Sequence, residues 1–181
     1  MNNRNGIKSQ PIKDGAVLVV PKSEKRFIDE IVALVREAGY EPIRVIYVSE
    51  SNSACYLGKG KLDELTKLTA DNNLKNVVIY DDVKPRHVFC LKKRLGFDVE
   101  ILDKTLLILK IFESHAGSRD AKIQIELARL RHTLPIVKEF INKAKTGELP
   151  GFLSSGEYLT ESYYKHIRRR ISRLTKELEY I

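Results

Sequence analysis

The chain has 181 residues, 43% of them hydrophobic and 31% charged, with a formal net charge of +8. That length holds one core-bearing domain plus an appended element, and the composition is that of a globular rather than a disordered chain. No run approaches the roughly 20 apolar residues of a membrane-spanning helix, and the polar start Met1–Asp14 is unlike an export signal, so a cytoplasmic protein is expected.

Ala16–Val20 is a short continuous apolar run between Gly15 and Pro21, the pattern of a strand covered on both faces. Ser23 then reads as a helix N-cap, and Phe27, Ile28, Ile31, Val32, Leu34 and Val35 recur at helical spacing until Gly39. A second run, Ile43–Val48, completes a strand–helix–strand unit, which calls for a right-handed crossover and parallel strands. After a small, polar stretch from Ser49 to Gly60, Leu62, Leu65 and Leu68 predict a helix from Lys61 to about Asn72. Val77–Tyr80 is the third strand, and Pro85 opens a helix that Gly96 closes, with an aspartate from Asp82 onward as its cap. Val99–Leu102 is the fourth strand, followed by an apolar helix from Thr105 to about Ala116. Four alternations of strand and helix predict an α/β domain over residues 1–118, a small, mainly parallel four-stranded sheet flanked by helices. Cys55 and Cys90 lack metal or redox spacing and read as small buried thiols rather than a disulfide.

From residue 119 the pattern changes. Ile123, Leu127, Leu130, Leu134, Val137 and Ile141 alternate steps of four and three, and so do Tyr164, Ile167, Ile171, Leu174, Leu178 and Ile181. Two such narrow apolar seams joined by a turn-rich tip, Thr146–Gly156, predict a long antiparallel coiled-coil hairpin over residues 119–181. Pro135 removes one backbone hydrogen bond and is expected to kink the first arm without ending it. The second arm runs to Ile181 on a seam position with no cap, so further chain is expected beyond it.

Charge is unevenly placed. Residues 1–103 carry 17 Lys and Arg against 15 Asp and Glu, whereas residues 104–181 carry 15 against 9. Lys165, Arg168, Arg169, Arg170, Arg173 and Lys176 follow one another with no acidic residue among them, which points to a polyanionic partner rather than an ordinary solvated face.

Other candidates for chemistry carry less. Gly58-Lys59-Gly60-Lys61 before a helix is a possible phosphate site, with a tight loop as the plain alternative. Leu62 stands where a nucleoside-triphosphatase loop needs Ser or Thr for magnesium. Asp81 and Asp82 follow a parallel strand, where ligands commonly bind, but no second carboxylate cluster supports a metal or acid–base site there. His87, His115, His132 and His166 fall on four different elements without metal-ligand spacing, so surface or packing roles are expected and no metal site. Ser53, Ser114 and Ser118 have no nucleophile motif around them, and no catalytic residue is assigned.

Five stretches in order resemble the N-terminal region of the HflX family of ribosome-associated GTPases. They are Gly58-Lys-Gly-Lys-Leu-Asp-Glu-Leu65, Tyr80-Asp-Asp82 with Pro85-Arg86, Leu102-Asp-Lys-Thr105, Leu107-Ile-Leu-Lys-Ile-Phe112 and, most specific, Lys122-Ile-Gln-Ile-Glu-Leu-Ala-Arg-Leu130. Departures are Asp103-Lys104 for the family's Asp-Arg, His115-Ala116 for Arg-Ala, Asp120 for a glutamate, and a tip reduced to Ser154-Ser-Gly-Glu157 with Tyr163-Tyr-Lys165 following. The divergent tip suggests an archaeal-type member and shifts the expected contact onto the second arm.

The resemblance implies the N-terminal domain and helical linker of such a GTPase, without its GTP-binding domain. The chain is then not itself an enzyme, and GTP and magnesium belong only with the GTPase domain of the same protein. Implied partners are that domain and the large ribosomal subunit with its rRNA. A basic helix can track a phosphate backbone without reading bases, which fits. The competing reading is a small nucleotide- or anion-binding α/β domain with weak hydrolysis of its own at Gly58–Lys61.

Overall fold

The two most continuous apolar runs become the centre of the molecule: Ala16–Val20 and Val77–Ile79 are 0% exposed. The computed structural model describes residues 14–49, 54–148 and 155–180. Strands β1 (Asp14–Pro21), β2 (Tyr40–Val48), β3 (Asn76–Ile79) and β4 (Glu100–Leu102) form one sheet in the order β2-β1-β3-β4, each neighbouring pair parallel. β1 and β3 therefore have a strand on each side and helices on each face, which is why they carry no polar alternation.

Helices α1 (Ile28–Glu37) and α4 (Lys104–His115) lie over one face, where Leu18, Val20, Ile31, Val35, Tyr40, Val78 and Leu107 share a core. Helices α2 (Lys59–Asp71) and α3 (Pro85–Leu95) cover the other, where Val17, Val19, Ile46, Leu57, Leu65, Val77, Ile79 and Leu91 pack together. Gly96, at φ +113°, ends α3, and a Cβ there would meet the Asp98 carboxylate oxygen at 2.7 Å.

Helix α5 (Arg119–Lys145) packs on both α3 and α4, which lie on opposite faces, and so runs along the β4 edge of the sheet. Ile136 and Phe140 of α5 join the α2–α3 core, and Phe140 meets Phe89 edge-to-face with ring centres 5.1 Å apart. Helix α6 (Ser155–Glu179) packs on α5. Ile123, Leu127 and Leu174 form one cluster between these two helices, and Val137, Ile141 and Ile167 form another. Arg119, opening α5, pairs with Glu177 near the end of α6, while Lys145, closing α5, pairs with Glu161 near the start of α6 at 2.8 Å. α5 continues unbroken through Pro135, whose side is exposed. Residues 149–154 of the expected tip, and Ile181, lie outside the described residues.

Several local expectations are corrected. Lys22–Phe27 forms a 3₁₀ helix without a side-chain cap, so Ser23 does not start α1. β2 begins at Tyr40 rather than Ile43; the register skips Ile43, which is 45% exposed. Lys84, not an aspartate, occupies the N-cap of α3. Cys55 and Cys90 form a disulfide with Cα atoms 5.0 Å apart, because the loop before α2 lies against the middle of α3; a 35-residue separation in sequence hid that contact.

Candidate nucleic-acid interface

The seam of α6 decides where its charges go. Ile167 and Leu174 are 1% exposed against α5, so a 3.6-residue repeat turns Lys165, Arg169, Arg173 and Lys176 away from the seam and leaves Arg168 exposed on its flank. None of these five hydrogen-bonds or ion-pairs with another described residue. Arg170, the sixth predicted cation, lies at the edge of the seam and grips Glu126 of α5 with both arms, Nε to Oε1 at 2.6 Å and Nη2 to Oε2 at 2.8 Å. This fork holds the Glu126 carboxyl below its ordinary range and the Arg170 guanidinium above its own, the hydrogen bond being the main cause in each. Arg170 is thus a structural clamp between the helices, and five of the six remain for a ligand.

The cations line contiguous hollows. Lys165, Arg168, Arg169 and Ser172 border one of about 300 Å³, and His166, Arg169, Arg170 and Arg173 another of about 220 Å³. A third, of about 330 Å³, lies between the helices, where Lys138 and Lys145 of α5 face Lys165 and Arg168. Lys138 and Lys145 were missed in the sequence because they belong to the other arm; reading the two heptad patterns in opposite directions would have paired them. Lys145 is tied to Glu161, so Lys138 is the stronger addition.

Gly58–Lys61 is placed elsewhere. Gly58 is the N-cap of α2 and Lys59, Gly60 and Lys61 form its first turn rather than a loop before it. That helix start has no side-chain cap and no acidic residue in its first turn. Lys61 pairs with Glu64 at 2.7 Å, Lys59 is exposed, and Leu62 is buried in the core. α2 packs on α3 and the sheet while α6 packs on α5, so the structure does not bring the two predicted clusters together.

The carboxyl end of the sheet holds groups that sequence reading separated. Asp103, 2% exposed, caps α4 by accepting from the Leu106 N–H at 2.9 Å, and its other oxygen lies 2.5 Å from Nε2 of His132 on α5. The hydrogen bond to Asp103 raises the His132 pKa, against burial, and the charges of Asp103 and Asp82 add to the rise. Asp81 accepts a 2.6 Å hydrogen bond from the Tyr56 hydroxyl, and its other oxygen accepts from the Asp82 N–H. His87 packs at a tilt against Tyr56, 5% exposed, with neither ring nitrogen hydrogen-bonded to another described residue; burial, then Arg86 and Lys84, lowers its pKa. His115 meets Glu37 at the surface and Ser118 caps α5, while Ser53 lies outside the described residues. Among the described residues no three His, Cys, Asp or Glu groups are placed to hold a metal ion, and no helix is long and apolar enough to cross a membrane.

Comparison with known proteins gives these elements a context. Residues 25–113 match the family model described as GTP-binding GTPase N-terminal, and residues 115–181 that described as GTP-binding GTPase middle region. The GTPase HflX of Hyperthermus butylicus is 42% identical over 167 residues, which is 90% of this chain and 44% of that protein. The GTPase HflX of Saccharolobus solfataricus is 42% identical over 158 residues, 87% of this chain and 43% of that protein. A crystal structure of a GTP-binding protein from the hyperthermophilic archaeon Sulfolobus solfataricus in complex with GDP superposes with a TM-score of 0.68 at 35% identity, covering 92% of this chain and 45% of that one. The chain spans less than half the length of these relatives.

Proposed function

Because the chain belongs to the HflX family, of which it carries the N-terminal and middle regions, we propose that it is the non-catalytic, RNA-binding part of an HflX-type GTP-binding protein. In this reading residues 1–118 form the N-terminal domain and residues 119–181 an antiparallel coiled-coil hairpin leading to the GTPase domain. The hairpin binds the rRNA of the large ribosomal subunit in the cytoplasm, and its packing on the sheet modulates the GTPase domain. GTP and magnesium belong to that domain, and this chain supplies no hydrolytic group.

The observation that carries the reading is the row of five exposed cations on α6, Lys165, Arg168, Arg169, Arg173 and Lys176, none of which forms a side-chain ion pair with another described residue. From Lys165 to Lys176 they cover about 17 Å of helix at 1.5 Å per residue, a length that spans several phosphates of one strand. Lys138 extends the row across the inter-helix hollow. Lys59 and Lys61, at the uncapped start of α2, are further phosphate contacts, with Gly58 and Gly60 leaving the backbone N–H groups open.

Cosedimentation with purified large ribosomal subunits over a salt series tests this. Neutralising five phosphates gives a log–log salt slope of about −3.5 to −4.5, at −0.7 to −0.9 per phosphate. Reversing the five charges to Glu is expected to abolish binding at low salt. Equal binding by the native and charge-reversed chains would remove α6 as the interface.

A further inference from the structure

A second feature of the fold points to chemistry outside the RNA-binding face. Cys55, Tyr56 and Leu57 are 7%, 7% and 1% exposed although they belong to no helix or strand. The Leu57 N–H donates to the Cys55 carbonyl at 2.8 Å around Tyr56, which sits at φ +68°. An i to i+2 hydrogen bond closed over a positive φ is the rare, strained form of the γ-turn, and here the central residue is a bulky tyrosine. Its ring meets that of His87 at a 58° tilt, ring centres 5.8 Å apart, and both imidazole nitrogens are buried with no hydrogen-bond partner among the described residues. A strained turn over an orphaned imidazole is locally unfavourable twice over. Two of the links that hold it closed, besides its packing in the core, are the hydrogen bond from Tyr56 to Asp81 and the covalent tie of Cys55 to Cys90.

We propose that Cys55–Cys90 is a thiol–disulfide exchange site for a dithiol reductant, and that its reduction releases the loop over residues 54–58 and uncovers His87. The two sulfurs are not equivalent. Cys55 is buried, whereas Cys90 is half-buried, so an incoming thiolate reaches the Cys90 sulfur. The S–S bond breaks as the mixed disulfide with Cys90 forms, and Cys55 leaves as a thiolate that takes up a proton, since its place in the buried apolar core disfavours a charge there. The second thiol of the reductant then attacks the mixed disulfide and releases Cys90. Two electrons have passed to the protein pair, and the dithiol has become a disulfide. Without the tie, the γ-turn relaxes and Tyr56 moves off His87. Since the same loop runs into Gly58, the N-cap of α2, its release also resets where Lys59 is presented.

The chain is equilibrated with oxidised glutathione or with dithiothreitol, and both forms are treated briefly with diethyl pyrocarbonate, which carbethoxylates neutral, accessible imidazoles. Peptide mass mapping follows His87, with the exposed His115 and His166 as internal controls, and thiol alkylation counts free cysteines. The oxidised form is expected to show no free thiol and a protected His87. The reduced form should show two free thiols and at least tenfold faster modification of His87, with the controls and the amide exchange of β1 unchanged. Cys90→Ser, which leaves Cys55 as its one cysteine, should show a single thiol and the fast His87 modification without reductant, and Cys55→Ser serves if that variant folds poorly. Two thiols remaining free in oxidised glutathione, or His87 reacting at the same rate in both forms, would overturn the proposal.

Discussion

His132 stands with its Nε2 2.5 Å from a carboxylate that is only 2% exposed, so its charged form is favoured in the folded chain. Its folded pKa lies above the unfolded value of about 6.5, and the stability it contributes is therefore fully present below pH 6.5 and lost as pH rises through the folded pKa. His132→Ala is expected to lower unfolding stability by about 2 kcal/mol at pH 5.5, the size of a hydrogen bond to a charged group. Urea titrations of both proteins should converge as pH is raised above that pKa. Glu126 makes the opposite kind of prediction. Glu126→Gln releases one arm of Arg170 for the solvent side, so the RNA-binding salt slope should steepen by about one phosphate, 0.7 to 0.9. Neither partner was legible in the sequence. Asp103 and His132 are 29 residues apart and Glu126 and Arg170 are 44 apart, and only the return of α5 along the sheet edge and of α6 along α5 brings them together.

Among the elements, α5 has the most to do. Toward α6 it presents Ile123, Leu127, Val137 and Ile141; toward the sheet it presents His132, Ile136, Phe140 and Ala144. The first stripe was readable because a seam against a single helix is narrow and strictly spaced. The second was hidden, because a broad contact with α3, α4 and the β4 edge follows no heptad. Phe140→Ala removes a ring that packs edge-to-face on Phe89 and Phe97 and should cost about 2–3 kcal/mol, below the full range for a phenylalanine because Phe97 is itself exposed. Chemical denaturation of the variant tests this, and an unchanged midpoint would mean that α5 is not docked through Phe140. The ends of elements were the least legible parts. A 3₁₀ turn at Lys22–Phe27 and the start of α2 at Lys59 depend on how the chain enters from β1 and from the disulfide-tied loop, not on the local pattern of apolar residues.

At the scale of the whole molecule, the parallel sheet was legible from unbroken apolar runs joined by helices, but its order was not. β1 sits between β2 and β3 because α1 covers one face and α2 the other, and nothing in the period of a helix says which face it will take. The disulfide spans a 35-residue separation, and opening it should lower stability by about 3–4 kcal/mol through the entropy returned to the unfolded chain, less whatever the relaxed loop regains. Guanidinium titrations with and without reductant would measure it, and identical midpoints would count against the tie. The way α5 lies along β4 has a last, practical consequence. Residues 1–118 have a coherent strand-and-helix pattern and invite separate expression. Cutting there, however, would strip the cover from a sheet edge and from Phe89, which is 4% exposed in the intact chain. That fragment is expected to elute from a sizing column as oligomers or aggregates, whereas the intact chain, in which α5 covers the edge and α6 covers the seam of α5, should remain monodisperse. Any attempt to assign activities along this chain should therefore keep α5 and α6 and change surface residues instead, so that a lost activity reports a lost site rather than an unprotected edge.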